Sequence, residues 1–332
     1  MTSRSIFFYI AIGIILLAIC LIAPFIGIQA ILPGDIFSDP AKADLFWNLR
    51  VPRVLAAFIA GAGLAMCGMT FQALFRNPLA DPFTLGIASG ASCGAALMIV
   101  AGVGGGIMGL PIVSGGAFIG AAVSMIVVYG LSKLRKSSSN FTILLAGIAV
   151  SFIFSSLLML LQYASNMYDS YHIIHWLMGG INVFGYESFV VLVPCVGLGT
   201  LLIIRKLSHL DQLLAGEDLA ASRGVNIKRT TFALLAASTI TVGGIVSICG
   251  PIGFVGLIIP HVCRLLFKSN HRILGPVCFV FGGTFLVFCD ALARVVIAPA
   301  ELPVGVITSL IGGPFFIWIL FGGKRGKDSV YV

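Results

Sequence analysis

The chain has 332 residues, of which 59% are apolar and only 10% charged. Soluble domains carry roughly 25% charged residues, and the mean hydropathy here is +1.09. These figures exclude an ordinary soluble domain, a disordered chain and a nucleic-acid-binding module. A bilayer span takes about 20 apolar residues. About ten spans with short loops therefore consume the chain and leave no sizeable soluble domain. The expected fold is an all-α polytopic membrane protein, one transmembrane domain over residues 1–332. The net charge of +8 rests on 20 Lys and Arg. They sit at the ends of apolar runs, the pattern of membrane orientation rather than of a nucleic-acid stripe. The bilayer is the expected surroundings and nucleic acid is not an expected partner.

In chain order the apolar runs predict spans near 6–28, 54–74, 85–103, 112–132, 141–162, 188–205, 231–249, 252–268, 274–297 and 304–322. The first is too long for a signal-peptide core and has no small-residue cleavage site after it, so it reads as a retained span. The eighth is short and carries Pro260. If Arg4 lies inside and the spans alternate, 16 of the 20 cations fall on one side. Only Lys42, Arg50, Arg53 and Arg294 fall on the other. The positive-inside rule then makes the first side, with both termini, cytoplasmic. Gly86, Gly90 and Gly94 recur every four residues, and Gly116 and Gly120 repeat the spacing. Such a stripe lets helices approach closely, so it reads as packing.

Motifs of chemistry are few. The tail from Phe321 to Asp328 mimics a phosphate loop but has Phe for the first Gly and Asp for the Ser/Thr. The stretch Gly104–Gly109 fits G-x-G-x-x-G without a preceding strand. ATP is not expected to bind this chain. The eight cysteines are scattered without a C-x-x-C pair and read as small hydrophobes. His172 and His175 would share a helix face and could ligate a metal; as residues beside Trp176 they also fit an interfacial belt. His261 and His271 flank the inner basic cluster. Asp290 and Arg294, four apart, can pair locally within the ninth span. No chain of buried carboxylates suggests an ion relay, and no nucleophile or base set suggests an enzyme. No catalytic residue, metal site or cofactor is expected. An ion-coupled secondary transporter without an ATPase is the competing class; it needs coupling groups at the midplane.

Two features stand out against that background. Arg50 and Arg53 bracket Pro52 at the start of the second span, three apart and so on one face. With Arg294 they are three of only four outer cations. Arginines suit carboxylates on a partner, and they also suit lipid headgroups. The loop from Ser208 to Arg229 is the longest polar inner stretch. Within it Glu217 and Asp218 suit the first turn of a short helix, Leu219, Ala220 and Ala221 keep its face small and apolar, and Gly224 suits its end. A helix of that kind fits a partner's groove.

Several stretches together resemble one family. They are Arg50-Val-Pro-Arg53, Asn77-Pro-Leu-Ala-Asp-Pro82 with Leu85-Gly86, Trp176-Leu-Met-Gly-Gly180 and Gly216-Glu-Asp-Leu-Ala220. The series continues with Gly253-Phe-Val-Gly-Leu-Ile-Ile-Pro-His261, Asp290-Ala-Leu-Ala-Arg294, Glu301-Leu-Pro-Val-Gly305 and Gly313-Pro-Phe-Phe-Ile-Trp318. The ordered set, from about residue 45 to the end, resembles the FecCD-type permeases of ABC importers for iron-siderophores, haem and vitamin B12. The resemblance implies the type II ABC importer permease fold, with about ten helices and inverted repeats near 50–165 and 228–322. It implies a cytoplasmic ABC ATPase dimer, a periplasmic or lipid-anchored substrate-binding protein and a second permease subunit, a homodimer being expected. It places the chain in the bacterial inner membrane. By matching motifs it implies docking of the binding protein at Arg50, Arg53 and Arg294. It implies ATPase coupling through Gly216, Glu217, Asp218, Leu219, Ala220, Ala221 and Gly224. It implies a cytoplasmic gate at Asn77 and Leu79, with Asn140 and Phe141 as their counterparts.

Overall fold

The computed structural model describes residues 3–102, 106–107, 110–133, 140–267 and 270–322, with side chains from 12 to 318 except 103–111, 134–140 and 268–269. The cations Arg4, Arg135, Lys136, Lys268, Lys324, Arg325 and Lys327, the phosphate-loop look-alike and most of the 104–109 glycine stretch lie outside the described residues or side chains.

Each predicted span holds a helix. They are α1 (Ser3–Ile22), α4 (Val51–Phe75), α5 (Ile87–Val100), α6 (Ile112–Lys133), α7 (Asn140–Ala164) and α9 (Phe189–Ile204), followed by α12 (Ile227–Cys249), α13 (Val255–Phe267), α14 (His271–Ala293) and α15 (Val304–Gly322). Five of the described helices are long and apolar enough to cross a bilayer, six if the bent pair after Phe189 is one span. The other apolar helices are represented by shorter stretches with described side chains: Ile12–Phe25, Ile87–Val100, Val255–Phe267 and Val304–Trp318. Short helices fill the loops: α2 (Asp35–Ser38), α3 (Pro40–Leu45), α8 (Met167–Leu177), α10 (Leu207–Ala215) and α11 (Glu217–Ser222). A π-helical turn, Phe46–Arg50, joins α3 to α4. A two-residue antiparallel ladder pairs Gly106–Ile107 with Leu110–Pro111.

Local chemistry explains the helix starts. Asp39 accepts the amide of Ala41, and Pro40 opens α3. Asn166, Asn226 and Asn270 cap α8, α12 and α14 by accepting the amides of Asp169, Arg229 and Arg272. Each cap satisfies a backbone donor that the helix itself leaves open.

Glycine sets the packing. A Cβ on Gly94 would overlap the Gly116 carbonyl, and one on Gly120 would overlap that of Gly90. The stripe read from the sequence is thus the seam between α5 and α6. A second seam joins α4 to α14, where a Cβ on Gly61 would overlap the Gly282 carbonyl. These two helices are antiparallel. Arg53 meets Asp290, Gly61 meets Gly282, and Gly275 lies near Met66. α4 is the most enclosed span, 83% of its apolar window being buried, against 17% for α7.

Candidate functional site

Three places carry the polar chemistry of the bundle. The first is a knot of arginines where α4 begins and α14 ends. Arg53 donates from Nε to Asp290 Oδ1 at 2.9 Å and from Nη1 to Glu301 Oε2 at 2.6 Å. Arg294 faces Asp290 Oδ2 from Nη2 at 3.2 Å and donates to the carbonyls of Ile26 at 2.7 Å and Ala23 at 3.2 Å. Arg50 donates to the same Ile26 carbonyl at 2.9 Å. Asp290 and Arg294 are fully buried. The local Asp290–Arg294 pair expected from the spacing is therefore shared, with Arg53 taking the better-aligned hydrogen bond.

The burial adds what chain spacing does not show. Arg50 and Arg53 retain 5% and 8% exposure and Arg294 none. They are not free surface cations, because loops far away in sequence supply their acceptors. Ile26, Ala23 and Glu301 carry no spacing signal that could have announced them.

The second place is a pocket of about 520 Å³ beside the knot. Arg53 and Glu301 form part of its wall, with His172, His175, Trp176 and Asn182. α8 brings the two histidines onto one exposed face, where Tyr168 and Tyr171 stack edge-on against His172 and Tyr171 against His175. No group of three metal-ligating side chains occurs among the described residues. Beside the pocket three chain segments cross. Gly305 donates its amide to Gly179 at 3.1 Å, and Gly180 donates to Cys249 at 2.8 Å. A Cβ on Gly250 would come within 2.6 Å of the Trp176 carbonyl. The motifs around Trp176–Gly180 and Glu301–Gly305 thus meet in space.

The third place is at the far end of α4 and α14. Arg76, in a left-handed conformation at the end of α4, donates from Nε to the Leu213 carbonyl of α10 at 2.9 Å. At the start of α14, the backbone amide of His271 donates to Asp211 Oδ1 at 3.1 Å and its ring Nδ1 lies 2.5 Å from the same oxygen. Arg272 Nε donates to Ser208 Oγ at 3.0 Å. α10 is thereby clamped to both helices. The sequence reading grouped His271 with the basic residues; it pairs with Asp211 instead, because Asn270 starts α14 directly under α10.

Beyond α10 the chain turns at Gly216, whose φ of +136° only glycine adopts readily. Glu217 and Asp218 occupy the first turn of α11, as expected. Gly224, at φ +83°, donates to Ala221 while Val225 donates to Ala220, the paired bonds of a Schellman ending. Asp218, Leu219 and Ala221 are exposed while Ala220 is buried. Nearby, Asn77 Oδ1 accepts the amide of Leu79, and Leu79 and Phe141 are exposed at 40% and 69%. The side chain of Asn140 lies outside the described residues.

The FecCD transport family profile matches residues 14–322. The chain belongs to the FecCD family. This FecCD chain is 40% identical to the Bacillus subtilis uncharacterized ABC transporter permease protein YvrB, over 90% of its own length and 84% of that protein. It is 35% identical to the vitamin B12 import system permease protein BtuC of Salmonella typhimurium, over 97% of both. A solved structure described as an inward-facing conformation of a metal-chelate type ABC transporter superposes with a TM-score of 0.85. It is 30% identical and covers 94% of this chain and 98% of that one. PsaBC from Streptococcus pneumoniae, at 17% identity and a TM-score of 0.58, shares the fold. This FecCD chain is accordingly a multi-pass inner-membrane permease subunit of an ABC importer, with the type II importer fold. Its relatives are transport subunits, and membership implies ATPase and substrate-binding protein partners.

Proposed function

We propose that this permease imports a bulky metal chelate, of the iron-siderophore, haem or cobalamin class, by ATP-driven alternating access. The observation that carries the reading is the α4–α14 pair. One end holds the arginine knot and the pocket; the other, about 30 Å away at 1.5 Å per residue, is clamped to α10. A packed antiparallel pair moves as a unit, so displacement at one end reaches the other.

The α10 end is the cytoplasmic one. Arg76, Arg205, Lys206, Arg223, Lys228, Arg229 and Arg272 gather on or around α10 and α11, as the positive-inside rule requires. Both termini then lie inside, and ten helices cross or enter the bilayer. The exposed face of α11, with the Gly216 and Gly224 turns, docks into an ABC ATPase dimer. Asn77, Leu79, Asn140 and Phe141 form the inner gate. The arginine knot faces outward and is the docking ground of the binding protein. Two copies of the chain face each other along α7 and α8, whose aromatic and apolar side chains are poorly covered within one chain. Inverted repeats are supported by helix lengths. α4 to α7 run 25, 14, 22 and 25 residues, and α12 to α15 run 23, 13, 23 and 19. The same order, one long helix followed by a short one and then two long ones, recurs.

The test is recovery of the tagged chain from native membranes in mild detergent, with partners identified by mass spectrometry. A phosphate-loop ATPase in stoichiometric amount is the expected result. The chain alone, under conditions that preserve a known ABC complex, would contradict it.

A further inference from the structure

The knot contains three guanidiniums but two carboxylates, so it holds one positive charge in excess. Its members are not equivalent. Arg294 is fully buried and donates to two carbonyls in the turn that follows α1. Arg50 donates to one of the same carbonyls, and a Cβ on Gly27 would overlap its guanidinium. These two arginines hold the end of α1 against α4 and α14. They are committed to their own chain.

Arg53 differs. Its Nε bond goes to Asp290, which is fully buried and fixed in α14. Its Nη1 bond goes to Glu301, whose side chain is 37% exposed and which sits outside any helix, on the pocket wall. Of the two carboxylates on Arg53, one is immovable and the other stands in reach of water.

We propose that Glu301 is a placeholder carboxylate. It occupies, on Arg53 Nη1, the position that an acidic side chain of the docking binding protein takes over. The inference rests on the docking reading above and goes beyond it. It assigns the exchange to Arg53 and reduces Arg50 and Arg294 to positioning residues. It also names the group displaced. The part-exposed Glu301 carboxylate can be released into water at small cost, and the excess positive charge of the knot draws an incoming carboxylate to the same place. Release of Glu301 frees a segment that runs four residues to Gly305, whose amide is bonded to Gly179 at the base of α8. Docking would thereby loosen the pocket wall that carries His172 and His175, at the moment a ligand is delivered.

The experiment uses the full-length permease in lipid nanodiscs and its cognate substrate-binding protein, fluorescently labelled, titrated at low and high salt. Glu301→Gln removes the competitor and should tighten docking about two- to fivefold, the range of a part-exposed ion pair. Arg53→Gln should weaken docking. In the Arg53→Gln background, Glu301→Gln should change nothing. Because Glu301 is outside the helices and part-exposed, Glu301→Ala offers a second variant with the same expected gain. Weakened or unchanged docking by both Glu301 variants, with Arg53→Gln still weakening it, overturns the placeholder and leaves the docking reading standing. Unchanged docking in Arg53→Gln overturns both.

Discussion

Asp81 shows how much a single buried carboxyl can impose. It lies in the loop between α4 and α5, 3% exposed, and accepts the amides of Phe83 and Thr84. Burial raises its pKa to about 6 although both amide bonds pull the other way. A carboxyl that binds its proton more tightly folded than unfolded favours the folded state at low pH. That advantage is lost as pH rises from about 4 through 6. Asp81→Asn keeps an acceptor for both amides and removes the charge. It should raise the unfolding temperature at pH 7.5 and leave it unchanged at pH 4, flattening the pH dependence between them; thermal unfolding in detergent reads this. The knot depends on a buried carboxylate in a different way, as a counter-ion. Asp290→Asn strips the shared counter-ion from Arg53 and Arg294 and should cost about 3–5 kcal/mol, the penalty for breaking a buried pair. Chain spacing made Arg50, Arg53, Asp290 and Arg294 conspicuous as rare charges among apolar residues. It could not show that carbonyls some 25 and 270 residues away, and Glu301, would absorb them.

At the scale of elements, hydropathy and glycine spacing carry nearly everything. The ten apolar stretches coincide with α1, α4 to α7, α9 and α12 to α15 within a few residues, because each run is bounded by Pro, Gly or a cation. The short helices were less legible. α11 was readable from its acidic start and glycine end, whereas α10 and α8, although each runs into a glycine, were not, being short and partly apolar. The seam between α5 and α6 yields a sharp contrast. Gly94→Ala and Gly120→Ala force a Cβ into a facing carbonyl and should each cost about 1–3 kcal/mol. Gly130, also in α6, has open space around it, so Gly130→Ala should be near neutral. Unfolding in a graded denaturing detergent separates the two classes.

For the whole molecule the central feature is that α4 and α14 join a polar knot at one end to α10 at the other. His271 and Asp211 fasten the α10 end; the sequence reading placed His271 beside the basic cluster, and nothing in the spacing singled out Asp211. His271→Ala and Asp211→Ala should leave binding-protein affinity intact. They should lower the stimulation of ATP hydrolysis by that protein several-fold, since α10 is then released from α14. Equal loss of both readouts would indicate collapse rather than uncoupling.

The claim underneath these predictions is that the chain is the membrane part of an ATP-driven importer. It is tested most directly by uptake into proteoliposomes holding the purified permease–ATPase complex, with the loaded binding protein outside and a radiolabelled metal chelate as cargo. Uptake should require ATP inside the vesicles and should survive ionophores that collapse proton and sodium gradients. Uptake that proceeds without ATP and stops when the gradients are collapsed would contradict the account and place the chain among ion-coupled transporters.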